Sequence, residues 1–94
     1  MVVKSKRLFF VVYQDEALEL GAEASLLLAD LRYLAKHTQK DEHGYFTVEN
    51  TFICKALGMN KRKLIYERNK LIRAGRIDYI HGRNQNQKSR YKLL

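Results

Sequence analysis

The 94-residue chain contains no proline and a single cysteine, Cys54. Without proline there is no Pro-rich linker, and no internal repeat divides the chain, so one domain with a single small core is expected. A lone cysteine cannot close an internal disulfide, which fits a reducing, cytoplasmic setting. No apolar run approaches the roughly 20 residues needed to span a bilayer, so no membrane partner is expected. The basic start, Met1 to Arg7, leads only into the short apolar stretch Leu8 to Tyr13, which reads as a strand or docked arm and not as a signal peptide. His37, His43 and His81 lack metal-ligand spacing, so neither a metal nor another cofactor is expected.

Acidic residues are scarce in one part of the chain. The net charge is +8, but residues 60 to 94 hold eleven Lys or Arg against Glu67 and Asp78, while residues 1 to 59 hold seven against eight. Basic charge concentrated in one contiguous third is the footprint of a phosphate-binding face, with a merely solvated face as the alternative.

The local pattern supplies the elements. A turn or short helix is expected from Asp15 through Leu20. After Gly21, apolar residues at Ala24, Leu27, Leu28, Leu31, Leu34 and Ala35 have the spacing of an amphipathic helix ending near His37. Lys40 to Gly44 reads as a polar turn, Tyr45-Phe46-Thr47 as a short β piece, and Thr47 as the cap of a helix that continues from Val48 to Leu57. Gly58 can end that helix, Asn60 can cap the next, and Gly75 can stop it again. Ile77 to His81 and Arg90 to Leu93 alternate weakly around the polar stretch from Gly82 to Ser89, which predicts a hairpin.

Helix, short strand, helix, turn, helix and hairpin form the order of an α+β winged helix: a three-helix helix-turn-helix core with a C-terminal β-hairpin wing and a short N-terminal strand or arm. Residues 1 to 14 are then the arm, 15 to 75 the helical core and 76 to 94 the wing.

The segments Leu20 to Leu31, Asp41 to Thr47 and Leu57 to Ile65 resemble the N-terminal winged-helix domain of replication initiators from Gram-positive plasmids and phages. The resemblance runs from Leu18 to Ile80, about two thirds of the chain. It implies a DNA-binding module of mobile-element replication, without implying initiator activity; a small transcription regulator would look nearly the same.

Each residue of a helix advances about 100°, so the buried stripe of helix 60–74 is expected to hold Leu64, Leu71, Arg68, Ile72 and Ile65. Arg68 stands where the resembled proteins are usually apolar. Its stem packs while the guanidinium reaches out, or it pairs with Asp30 or Glu23, or it faces a partner protein. On the opposite arc lie Arg62, Tyr66, Asn69, Lys70 and Arg73, with Asn60, Lys61 and Lys63 at the start. Arg62 and Tyr66 are expected nearest the bases of a duplex, Lys70 and Arg73 on phosphates. In the wing, Arg83, Lys88 and Arg90 flank a Gln/Asn-rich tip that suits a minor groove or phosphate backbone. Most of Tyr45, Tyr66, Tyr79 and Tyr91 are assigned to packing rather than to stacking on single strands.

No catalytic set stands out: Asp41-Glu42 is an adjacent pair in a turn, and there is no Gly-rich phosphate loop. An enzyme is not expected. The rival class is an accessory subunit docking on a larger replication protein such as a polymerase, primase or helicase, for which Phe9, Val11 and Arg68 are the candidate interface. A homodimer reading two half-sites is the remaining partner expectation.

Overall fold

A computed structural model describes the backbone of residues 2–4 and 9–11 and the complete residues 12–82 and 88–94. The elements run β1 (Val2–Lys4), β2 (Phe9–Val11), α1 (Gln14–Leu20), α2 (Ala22–His37), β3 (Phe46–Thr47), α3 (Asn50–Leu57), α4 (Lys61–Arg73), β4 (Ile77–Ile80) and β5 (Arg90–Leu93). This α+β order matches the winged-helix expectation, with two additions. The arm is itself an antiparallel pair, with Val3 opposite Phe10. The hairpin gains a third strand, giving the order β3-β5-β4.

The core forms where α2, α3 and α4 meet the inner face of that sheet. Leu27, Leu31, Ile53, Leu64 and Leu71 are fully buried, together with Phe46 and Tyr91, which oppose each other across β3 and β5. Strand alternation explains the choice: Tyr91 points inward while its neighbours Arg90 and Lys92 point outward. At the base of the arm, Val12 is buried against Ala29 of α2, so this end of the arm belongs to the core. The side chains of Phe9 and Val11 and all of Arg83 lie outside the described residues.

Gly58 and Gly75 both end their helices as expected, and one helix start moves. Gly58 adopts the left-handed conformation (φ 66°, ψ 32°) that ends α3. At the end of α4 the N–H of Arg76 reaches the carbonyl of Leu71, and that of Gly75 reaches Ile72, closing the last turn. Thr47, however, does not cap α3. It is paired in β3 opposite Arg90, and α3 starts two residues after Val48, following Glu49, which makes no side-chain capping bond. Strand pairing took the residue that a local reading assigns to the helix.

The polar turn before β3 is organised by Asp41, whose Oδ1 accepts the N–H groups of His43 (2.9 Å) and Tyr45 (3.0 Å). These bonds to the ionised form hold the Asp41 carboxyl below its ordinary range. A second polar device ties α1 to both α2 and the foot of the wing. Arg32 donates two bonds of 2.7 Å to Glu16, while Arg76 donates to Glu16 (2.9 Å) and to Glu19 (2.6 Å). The Arg32 bond, ahead of the opposing cost of burial, lowers the Glu16 carboxyl. Residues 60 positions apart are thereby fixed together, and the angle of the hairpin against the helices with them.

Candidate nucleic-acid interface

The helix that carries most of the predicted contacts is set by its cap. Asn60 Oδ1 accepts the N–H of Lys63 at 2.8 Å, satisfying one of the free donors at the start of α4. That oxygen is committed to the cap. From there Leu64, Glu67, Arg68 and Leu71 turn inward. Ile65 and Ile72, expected in the buried stripe, instead lie on its flank, 36% and 38% exposed. The stripe is narrower than the helical wheel suggests because Glu67 and Arg68, not the isoleucines, fill the space beside the two leucines.

Arg68 is 6% exposed. Its Nη1 donates to the Tyr91 hydroxyl at 3.2 Å, and the guanidinium sits 4.0 Å over the Tyr79 ring. Neither Asp30 nor Glu23 pairs with it, and it does not reach out to solvent. Burial at this depth within the chain's own core removes it from the candidate protein interface. Asp30 is also fully buried, with neither carboxylate oxygen hydrogen-bonded among the described residues, and burial pushes its pKa up to about 6.

The outer face of α4 has the composition expected of it. Arg62, Tyr66, Asn69 and Arg73 are all exposed and follow one another at spacings of four, three and four, so they form one stripe along the helix. Lys61 is exposed at its N-terminal end. Among the described residues no hydrogen bond or ion pair engages the side chains of Lys61, Arg62, Asn69 or Arg73.

Lys63 and Lys70 differ from these. They flank a shallow groove of about 340 Å³ between α4 and the start of α2. Lys63 contacts Glu23 and lies 3.6 Å from Glu67; Lys70 lies 3.6 Å from the other Glu67 oxygen and donates to the Leu20 carbonyl at 3.1 Å. The bond to Glu23 raises the Lys63 pKa. Gly21 permits this approach, since a Cβ there would stand 3.2 Å from the Lys70 ammonium. The Tyr66 ring lies between the two ammonium groups, 5.8 Å from Lys63 and 5.5 Å from Lys70. Sequence reasoning placed both lysines on DNA and overlooked the two acids. The pairs within α4 follow from helical spacing, but the contact of Glu23 with Lys63 crosses 40 residues and has no local signal.

In the wing, Lys88 pairs with Glu49 at 2.9 Å, and Arg90 lies 3.6 Å from Asp41 with its guanidinium 5.9 Å from the Tyr45 ring centre. Each is thus tied to an acid in the body of the domain, with about half of its side chain still exposed. Among the described residues no cluster of His, Cys, Asp or Glu is arranged to hold a metal, and no helix is long and apolar enough to cross a membrane.

No family model and no curated protein matches this chain. Two solved structures share its fold, one described as "N-Terminal domain of DNA binding protein" and the other as "Structure of Rep-DNA complex". Each superposes with a TM-score of 0.72 at 21% identity, over 95% of this chain and 76% of the other. The chain therefore has the fold of these domains.

Proposed function

We propose that this domain binds duplex DNA by placing the outer face of α4 in the major groove, in the service of replication of a plasmid, phage or other mobile element. The observation that carries the reading is the stripe of Arg62, Tyr66, Asn69 and Arg73, with Lys61 at its head, whose cations have no partner within the described residues. An exposed cation without an internal partner is free to displace counterions from phosphate, and Arg and Asn are the side chains that read guanine and adenine edges in pairs of bonds. Support for DNA as the ligand comes from the fold neighbours, one of which is described as a Rep-DNA complex. Lys63 and Lys70 are left out of the contact set because acids already hold them. Arg90 and Lys88 supply phosphate contacts from the wing only by leaving Asp41 and Glu49. The chain works as a binding module in the cytoplasm, with no catalysis of its own.

A second reading, docking on a larger replication protein, is favoured by Leu18 and Leu94, which are 80% and 71% exposed. It uses a surface other than α4.

The test is a fluorescence-anisotropy titration of a labelled random-sequence duplex across a salt series. Neutralising three phosphates through Lys61, Arg62 and Arg73 gives a slope of log affinity against log salt of about −2.7, steeper with the wing engaged. Absence of binding at low salt rejects the proposal.

A further inference from the structure

We infer that Glu23 is a specificity-determining residue of the α4 surface: it holds Lys63 away from phosphate and so keeps down the part of DNA affinity that is blind to sequence. The inference rests on the DNA-binding reading of α4.

Lys63 stands beside Arg62 and one turn before Glu67, at the end of the helix that enters a groove first under that reading. Its ammonium could reach a backbone phosphate from there. Instead it contacts Glu23, at the start of α2, and stands within 3.6 Å of Glu67. Glu67 is buried, so its charge must be compensated from within the domain. Lys70 lies 3.6 Å from its Oε2 and is anchored besides by the Leu20 carbonyl at 3.1 Å. The buried acid is therefore served by two cations. Glu23 has no such structural need: its side chain is 55% exposed. A carboxylate placed at the edge of a phosphate-binding face repels the backbone and occupies Lys63, which could otherwise add a phosphate contact to those of Lys61 and Arg62. Its effect is to leave the stripe from Arg62 to Arg73, where base-reading side chains lie, as the main source of affinity.

The experiment is a double-mutant cycle read by anisotropy on the same random-sequence duplex, using wild type, E23Q, K63Q and E23Q/K63Q. Each protein is first checked for an unchanged thermal midpoint. E23Q is expected to bind roughly two- to five-fold more tightly, the range an exposed ion pair allows, with a salt slope steeper by about 0.9, one further phosphate neutralised. In E23Q/K63Q that gain disappears. Wild-type binding with no gain in E23Q overturns the inference and leaves the DNA-binding reading intact. A gain that persists in E23Q/K63Q also overturns it, because removal of a negative charge would then act through the general field and not through Lys63. Absence of binding by wild type and E23Q alike rejects both readings.

Discussion

On the inner face of α4, Glu67 and Arg68 are 2% and 6% exposed, and each is held by its surroundings: the acid by two lysines, the guanidinium by the Tyr91 hydroxyl and the Tyr79 ring. On the outer face of the same helix, Arg62 and Arg73 meet no charged or hydrogen-bonding group among the described residues. The difference follows from solvation. A buried charge without partners costs several kcal/mol, so the fold supplies them; an exposed charge is served by water and keeps its field for an external ligand. On the proposed reading, the inner charges belong to stability and the outer ones to binding. Between the faces, Lys63 and Lys70 are exposed enough to reach a ligand yet committed to acids of the domain.

Substitutions on the two faces should separate accordingly. The largest effect is expected at Arg68: R68A removes the stacked guanidinium and its bond to Tyr91, leaves a void, and lowers the unfolding free energy by about 2–4 kcal/mol in a denaturant titration. An equal loss in R62A or R73A would erase the contrast; each of those should stay within about 0.5 kcal/mol of wild type.

Asp30 sharpens the comparison, being a buried charge with no hydrogen-bond partner among the described residues. Its pKa is about 6 in the folded protein against about 3.9 in an unfolded chain. The folded state therefore holds the proton more tightly between those values, and this group makes stability fall as pH rises from about 4 through 6. D30N, which cannot ionise, should exceed wild type at pH 8 by up to about 3 kcal/mol, the equivalent of two pKa units, and lose that advantage by pH 4. Parallel pH profiles of the two proteins would contradict this.

A smaller effect is expected at the brace beneath the wing. E16A deletes the carboxylate shared by Arg32 and Arg76 and should cost about 1–2 kcal/mol, reduced from a buried pair by the partial exposure of the arginines. Chemical denaturation measures it. A loss below a few tenths of a kcal/mol would mean that the hairpin is positioned by packing alone.

Much of this arrangement was legible in the sequence, because caps and periodicity are local. Gly58, Asn60 and Gly75 announce α4 to within a residue, and the leucines of α2 mark its core face. The arc of Arg62, Tyr66, Asn69 and Arg73 follows from 100° per residue. The missed features depend on partners distant in sequence. Thr47 became a strand residue because β5 arrives 43 positions later at Arg90. Arg68 found tyrosines of the hairpin, 11 and 23 positions on, rather than Asp30 or Glu23. Ile65 and Ile72 lie on the flank because Glu67 and Arg68 take the buried positions beside the leucines, and the hairpin tyrosines that hold Arg68 there are not contained in a helical wheel. The first strand of the arm, Val2–Lys4, is only three residues long, two valines running into a basic stretch, too short to stand out locally without its pairing with Phe9–Val11.

The central claim is that unpaired cations of α4 bind DNA whereas paired ones do not, and the most direct measurement compares R62Q with K63Q. The two residues are adjacent on one helix, and each variant removes one positive charge. In salt-series anisotropy on a random-sequence duplex, R62Q should make the slope shallower by about 0.9 and weaken binding, while K63Q stays close to wild type. Equal losses in the two variants would show that net charge governs binding, and would contradict the account.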